Sequence, residues 1–185
     1  MPIYVSLLRG INVGGNKKIK MADLRALYES LGFTDVSTLL QSGNAVFKSD
    51  MTDTSKIAKR IEDGIEAQFG FHSDLFVLTA EQFRTAFENN PFTGGDYEGS
   101  KLLVTFYAET LPDDLMQKLH DAHESQGGPE TIKSHGNVLY VYFPDGMGRS
   151  KLADKTLGKV IKISGTGRNW NTMTKLLAIV DGLHK

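Results

Sequence analysis

The sequence contains no cysteine among its 185 residues. It therefore has no disulfide framework, no thiol nucleophile and no cysteine ligand for a metal ion. It also lacks any apolar run close to the roughly 18 residues of a membrane-spanning helix. The apolar run at Ile3–Leu8 is shorter than that of a signal peptide, and it lacks the basic residues that precede such a run. We therefore expect a cytoplasmic protein without a membrane partner.

The five histidines do not form a ligand set. His120 and His123 are three residues apart on a predicted helix, a spacing that we interpret as an exposed face rather than a zinc site. No paired carboxylates stand out for acid–base chemistry. We expect no metal and no cofactor, and no catalytic residue can be assigned.

The net charge of −1 conceals an uneven distribution. Between Asp50 and Glu130 there are 16 acidic and 6 basic residues, a balance of −10, and the rest of the chain has a balance of +9. The basic residues concentrate in 9–20 and in 149–175. If these segments meet in space, they form one positive surface suited to an anionic ligand, although solvated surface charge explains them equally well.

The first half of the chain has a regular rhythm of apolar patterns. It predicts, in order, a strand over 3–8, a helix over 21–31, strands over 36–40 and 45–47, a helix over 54–69 and a strand over 74–78. Thr79 and Gln82 form a predicted capping box that opens a further helix, which Pro91 ends. The glycine-rich, acidic stretch 92–100 is the best linker candidate.

The rhythm then restarts in the second half. It predicts a strand over 101–107, a helix from Pro112, strands over 131–134 and 138–143, a short helix over 149–157, a strand over 159–163 and a last helix over 171–183. The sequence therefore predicts an α+β fold of two ferredoxin-like βαββαβ halves with antiparallel sheets. The halves are 1–91 and 101–185, joined by the linker 92–100, and the second carries an appended C-terminal helix.

The loop at Arg9–Lys20 is rich in glycine and lysine and joins the first strand to the first helix. Backbone N–H groups in such a loop can face an anion, and Lys17, Lys18 and Lys20 would supply positive charge. A long loop also needs glycine where φ is positive, and the sequence leaves both interpretations open.

Two further segments combine small and polar residues. Gln41–Asn44 favours a structural turn, because asparagine and glycine tolerate left-handed backbone angles. Gly148–Leu152 places Arg149 and Lys151 at a predicted helix start, where the helix dipole disfavours cations. Either a bound anion or solvation would relieve that conflict.

The stretch Ser164–Lys175 contains the only tryptophan, Trp170. Asn169 or Asn171 is a good N-cap for the last helix. Capping does not explain Arg168, which we expect at the positive end of the helix dipole. Trp170 can stack on a base or bury its ring, and burial is the more common outcome.

The candidate ligand-binding residues come from these four segments. They are Arg9, Asn12, Gly14, Gly15, Lys17, Gln41, Ser42, Asn44, Arg149, Lys151, Arg168, Asn169, Trp170 and Asn171. The first hypothesis is that they bind a phosphate-bearing small molecule, a nucleotide, or a nucleic acid. The second is an interaction or structural protein in which they serve packing. The third is an enzyme on a small anionic substrate, which would need Arg9, Gln41 and Arg168 around a carboxylate such as Asp23. The sequence does not indicate the oligomeric state.

The chain also resembles a bacterial family catalogued as domain of unknown function 1697. The resemblance covers nearly the whole length. It rests on Leu7–Gly15, the Met21–Phe33 helix with its Ala-x-Leu-Arg pattern, Gln41–Asn44, Asn90–Phe92, Ser150–Leu152 and Arg168–Thr172. The resemblance implies a duplicated fold of ferredoxin-like halves. It implies no reaction, cofactor or catalytic residue.

Overall fold

A computed structural model describes all 185 residues and divides them into two compact units. The first unit comprises Met1–Thr85 and Thr174–Lys185, and the second comprises Ala86–Met173. Each unit holds one four-stranded antiparallel sheet. The predicted α+β class with two halves is confirmed.

The first unit has the predicted order of elements. Its strands and helices are β1 (Ile3–Leu8), α1 (Met21–Ser30), β2 (Thr34–Leu39), β3 (Asn44–Lys48), α2 (Thr54–Phe69), β4 (Leu75–Thr79) and most of α3 (Ala80–Glu88). The strand order is β2-β3-β1-β4, which places the first and third strands at the centre, as in a ferredoxin-like sheet.

The core of the first unit lies between its sheet and the apolar faces of α1 and α2. Tyr4 and Leu8 of β1 belong to this core together with Tyr28 of α1 and Phe47 of β3. The rings of Tyr28 and Phe47 meet edge to face, with centroids 5.3 Å apart. The Tyr28 hydroxyl shares a hydrogen bond of 2.9 Å with Ser6 Oγ, so the buried phenol has a partner, and burial raises the pKa of Tyr28.

The predicted helix ends are confirmed in the first unit. Thr79 and Gln82 form the capping box, since the backbone N–H of each donates to the other's side chain. Asp53 caps α2 by accepting from the N–H groups of Ser55 and Lys56. Gly70 ends α2 in the left-handed conformation that glycine adopts without strain.

The second unit repeats the same order. Its elements are β5 (Leu102–Tyr107), α4 (Asp113–Gln126), β6 (Thr131–His135), β7 (Val138–Tyr142), α5 (Leu157–Val160), β8 (Gly165–Asn169) and the start of α6 (Trp170–Leu183). The strand order β6-β7-β5-β8 matches that of the first sheet. Its core joins Leu119 of α4, Leu139 and Val141 of β7, and Leu152.

The last strand of the second unit is not where the sequence predicts it. The predicted strand over 159–163 is wrong, and β8 lies at Gly165–Asn169, antiparallel to β5. A Cβ atom at Gly165 would come within 2.7 Å of the Tyr107 ring, and one at Gly167 would lie 3.0 Å from Thr105 Oγ1. Glycine is required at these two positions of β8 because side chains of β5 occupy the space that a Cβ atom would need. This packing requirement outweighs the low strand propensity of glycine.

The predicted helix over 149–157 is also corrected. Met147–Arg149 is a 3₁₀ turn, Leu152–Thr156 is a π-helix, and only Leu157–Val160 is α-helical. A π-helix widens the turn by one residue, a local irregularity that apolar periodicity does not reveal.

The units also divide the chain differently from the predicted boundaries. Residues 86–91 fall in the second unit, and Thr174–Lys185 of the appended helix falls in the first. An ion pair between Arg84 of α3 and Asp181 of α6, with a separation of 2.5 Å, lies within the first unit. None of the helices has both the length and the apolar character that a membrane span requires.

Candidate functional site

The first unit contains a pocket of about 580 Å³, which we call the α1 pocket. Its lining comes from the loop after β1, the first turn of α1, the β2–β3 turn and the end of α2. The lining residues are Asn12, Gly15, Lys18, Ile19, Lys20, Asp23, Gln41 and Phe69. Its size falls within the roughly 300–1,000 Å³ of small-molecule sites.

The glycine-rich loop folds as a miniature hairpin at the edge of this pocket. Val13 and Asn16 form a β-bridge, and the N–H of Asn16 donates to the carbonyl of Val13 over 3.1 Å. Gly14 and Gly15 between them have φ of 59° and 79°. Two successive positive φ values are the signature of a type I′ turn. The glycines therefore shape the loop, and Gly15 also lines the pocket.

Asn12 holds the wall of the pocket together. Its Nδ2 donates to the carbonyls of Ile19, over 3.0 Å, and Gln41, over 2.7 Å. Its Oδ1 accepts from the N–H of Ile19 over 2.9 Å. Both amide hydrogens of Asn12 are thereby used, so this side chain, one of the predicted ligand-binding residues, acts as a clamp between the hairpin and the β2–β3 turn.

The predicted structural turn at Gln41–Asn44 is confirmed. Gly43 has φ of 79°, and its carbonyl accepts from the N–H of Leu8. Asn44 is fully buried, and its Nδ2 donates to Ser42 Oγ and to the carbonyl of Leu39. Ser42 and Asn44 therefore stabilise the turn, and Gln41 is the residue of this turn that lines the pocket.

Four charged or amide side chains of the α1 pocket make no hydrogen bond or ion pair. They are Lys18, Lys20, Asp23 and Gln41. Lys20 is also the N-cap of α1, and α1 begins without a side-chain cap. The first N–H groups of a helix carry partial positive charge, so two lysines and an uncapped helix start lie at one pocket.

The other basic groups of the loop have different positions. Lys17 Nζ donates to the carbonyl of His72 over 2.8 Å and lies 6.0 Å from the centre of the Phe71 ring. The backbone of Arg9 is bound on both sides, by the carbonyl of Asp74 and the hydroxyl of Ser73. Neither Arg9 nor Lys17 lines the α1 pocket.

The predicted C-terminal candidates lie in the second unit. Arg168 is in β8 rather than at the helix start, and its Nη1 donates to Thr166 Oγ1 and to the carbonyl of Gly167, both over 2.9 Å. Only 8% of Arg168 is exposed, and burial lowers its pKa to about 10. Asn169 is confirmed as the cap of α6, since its Oδ1 accepts from the N–H of Thr172.

Trp170 and Asn171 follow at the start of α6. The indole ring of Trp170 stacks on Phe87, with centroids 4.3 Å apart and planes inclined by 23°. Asn171 packs closely against Gly99: a Cβ atom added at position 99 would lie 2.2 Å from Oδ1 of Asn171. The Arg168–Thr172 motif thus makes many contacts within its own unit.

We predict that Trp170→Ala lowers the free energy of unfolding by about 2–3 kcal/mol, because it removes a stacked, half-buried ring. Trp170→Phe keeps an aromatic ring against Phe87 and should cost about 1 kcal/mol or less. Chemical denaturation followed by circular dichroism measures both. Equal losses for the two variants would argue against stacking as the source of stability.

The remaining predicted residues, Arg149 and Lys151, flank a buried hydrogen-bonded chain. Ser150 Oγ donates to Glu130 Oε1 over 2.5 Å, and His123 Nε2 lies 3.0 Å from Glu130 Oε2. Of the histidine pair predicted on an exposed helix face, His120 is exposed, but His123 is only 15% exposed at its side chain, so that prediction is wrong for His123. Arg149 and Lys151 line a second, smaller pocket of about 170 Å³ together with Glu130.

Glu130 is held as a carboxylate by these contacts. Burial disfavours its charge, but hydrogen bonds from Ser150, its own backbone N–H and His123 outweigh burial and hold the pKa of Glu130 below its ordinary value. A carboxyl whose pKa is lower in the folded chain stabilises the fold at pH values above its unfolded pKa of about 4.3. That stability is lost as the pH falls through the lower, folded pKa.

Glu130→Gln should therefore lower the free energy of unfolding by about 1–2 kcal/mol at pH 7, and by less once the pH falls below the lowered pKa of Glu130, where the native residue takes up its proton. Denaturant titrations across this range measure the difference. Glu98→Gln, which removes an exposed carboxylate of the same unit, is the control. A loss that is independent of pH would contradict the assigned charge.

The sequence gives no signal for two residues that line the α1 pocket. Ile19 belongs to no motif, and Phe69 falls in the predicted helix over 54–69. Lys18 and Lys20 also line the pocket; the sequence indicates their charge, but they are not among the candidate binding residues. Because Phe69 is distant in sequence from the loop, only the packing of α2 could bring it there.

Comparison with known proteins places the chain in a family. The conserved bacterial protein SP0830 from Streptococcus pneumoniae is similar in structure, with a TM-score of 0.72 and 28% sequence identity, over 100% of this chain and 99% of that one. No curated protein sequence matches. A family model described as protein of unknown function, DUF1697, matches residues 1–140, and the chain therefore belongs to the DUF1697 family.

Proposed function

We propose that this protein binds a phosphate-bearing ligand, a nucleotide or a nucleic acid, in the α1 pocket. The observation that carries the proposal is the pair of unpaired lysines, Lys18 and Lys20, beside a helix start without a side-chain cap. The absence of cysteine supports a cytoplasmic setting for this activity.

The charges around the pocket favour an anion. Lys18, Lys20 and the positive end of α1 outweigh the single carboxylate of Asp23. No carboxylate lies within ion-pair distance of either lysine, so a phosphate group would meet ammonium groups that make no competing ion pair. Hydrogen bonds to charged groups contribute roughly 1.5–3 kcal/mol each, enough for two lysines to dominate binding of a small anion.

The wall of the pocket supports recognition of a defined ligand. The Asn12 clamp fixes the hairpin to the β2–β3 turn, and the type I′ turn fixes the path of the loop. A wall that is ordered before binding loses little conformational entropy when the ligand arrives.

The second hypothesis, that the candidate residues serve packing, is supported for the motif in the second unit. The contacts of Arg168, Trp170 and Asn171 described above account for that motif without a ligand. We therefore assign the Arg168–Thr172 motif to packing and the loop motif to binding. Of the residues that the enzyme hypothesis requires, Gln41 and Asp23 line the α1 pocket, and Arg9 and Arg168 do not.

Isothermal titration calorimetry tests the proposal, with pyrophosphate, ADP and a single-stranded RNA oligonucleotide as probes. We expect binding by at least one probe at about 50 mM salt and a clear loss of affinity at about 300 mM, because salt screens the contact with phosphate. Calorimetry is preferable to tryptophan fluorescence, since Trp170 is stacked on Phe87 in the other unit. No binding at low salt, or binding that salt does not weaken, would overturn the proposal.

A further inference from the structure

Asp23 is an unexpected group in a pocket for an anion. It lies in the first turn of α1 and lines the same pocket as Lys18 and Lys20, yet it forms no ion pair with either. A carboxylate repels a phosphate group that approaches it. An exposed carboxylate in such a pocket is best matched by a ligand that carries hydrogen-bond donors next to its phosphate.

The rest of the lining indicates what such a ligand would contain. Ile19 is buried, and the Phe69 ring is partly exposed, so together they offer an apolar wall for a planar ring. Gln41 offers an amide that can both donate and accept. The pocket thus combines cations, an aromatic wall, an amide and a carboxylate within about 580 Å³.

We infer that the ligand is a mononucleotide with a free ribose, and that Asp23 accepts hydrogen bonds from its 2′- and 3′-hydroxyls. This inference rests on the proposed function. The phosphates lie against Lys18 and Lys20, and the base lies against Phe69. A carboxylate has two oxygens, which match the two adjacent hydroxyls of a ribose. Within an RNA strand the 3′-oxygen is esterified, so an internal nucleotide offers only one of these donors.

The sugar preference of the wild type and of Asp23→Asn tests the inference. Titrations with ADP, 2′-deoxy-ADP and pyrophosphate should show that the wild type binds ADP about 10-fold more tightly than 2′-deoxy-ADP, the effect of one charge-assisted hydrogen bond at an open site. Asp23→Asn should remove most of that preference. Its pyrophosphate affinity should stay equal or rise, because a repulsive charge is lost.

Glu29→Gln is the matched control, since it removes one carboxylate from the same helix outside the pocket. It should keep the wild-type sugar preference. The carboxylate of Asp23 also interacts favourably with the positive end of the α1 helix dipole, so its loss can destabilise the helix. Thermal melting of each variant is therefore needed to show that the variant is folded. The ratio of the two nucleotide affinities is the readout, and a purely structural role of Asp23 would not change it.

The outcomes separate this inference from the proposed function. If pyrophosphate, ADP and RNA all fail to bind, both are overturned. If pyrophosphate or ADP binds but ADP and 2′-deoxy-ADP bind equally to the wild type, the phosphate site stands and the role of Asp23 is wrong. If the RNA oligonucleotide binds more tightly than ADP, the pocket serves a nucleic acid and the mononucleotide inference is wrong.

Discussion

Gly43→Ala is expected to lower the free energy of unfolding by roughly 2–4 kcal/mol, a large part of the stability of a domain of this size. Gly43 has φ of 79°, a region that costs an alanine about 1 kcal/mol or more. A Cβ atom there would lie 2.6 Å from Ile11 Cδ1 and 2.8 Å from Leu8 Cβ. Because Leu8 and Ile11 are buried, they cannot move aside without disturbing the core of the first unit.

Gly14→Ala is the matched control for this prediction. Gly14 has a similar positive φ of 59°, but a Cβ atom there would meet nothing within 4 Å. It should cost only the backbone strain, about 1 kcal/mol. Urea denaturation followed by circular dichroism compares the two variants. Equal losses would show that strain alone, and not the close approach to Leu8 and Ile11, makes glycine necessary at position 43.

The elements that the sequence predicts well are those with strong local signals. The capping box at Thr79 and Gln82 and the helix end at Gly70 depend only on residues close in sequence. The β6–β7 hairpin is predicted for the same reason, since Gly136 and Asn137 lie between the predicted strands over 131–134 and 138–143 and favour a turn. Repetition of such signals in one order is enough to indicate two ferredoxin-like halves.

The last strand shows where local signals fail. The segment 159–163 has a β-like composition, whereas Gly165–Asn169 contains two glycines and an arginine. The strand forms at the second segment because its glycines allow close approach to Tyr107 and Thr105 of β5. Such a requirement is visible only when the neighbouring strand is in place.

The candidate site likewise contains some features that the sequence predicts and others that depend on the folded chain. The loop at Arg9–Lys20 and the residue Gln41 were predicted together, and both contribute to the α1 pocket. The use of Asn12 as a clamp was not predictable, because its partners depend on the folded path of the loop. Arg168 was expected to meet an anion, but the pairing of β8 with β5 buries it in the second unit.

The two lysines of the α1 pocket should account for most of the affinity for a phosphate-bearing ligand. We predict that the double variant Lys18→Ala/Lys20→Ala weakens ADP binding about 100-fold, from about 1.4 kcal/mol lost at each lysine. Calorimetric titration at low salt measures the change. The slope of affinity against salt concentration should also fall, because fewer charges contact the ligand.

The double variant Lys56→Ala/Lys59→Ala removes the same total charge from α2 of the same unit, at residues that do not line the pocket. It should change ADP affinity by no more than about threefold, since exposed charges beyond a Debye length of about 8–10 Å are largely screened. If both double variants weaken binding to the same degree, ADP responds to the overall charge of the unit rather than to this pocket. If only Lys18→Ala/Lys20→Ala does, the contact between phosphate and these ammonium groups is local, and the loop that the sequence marks by its glycines and lysines forms the binding site.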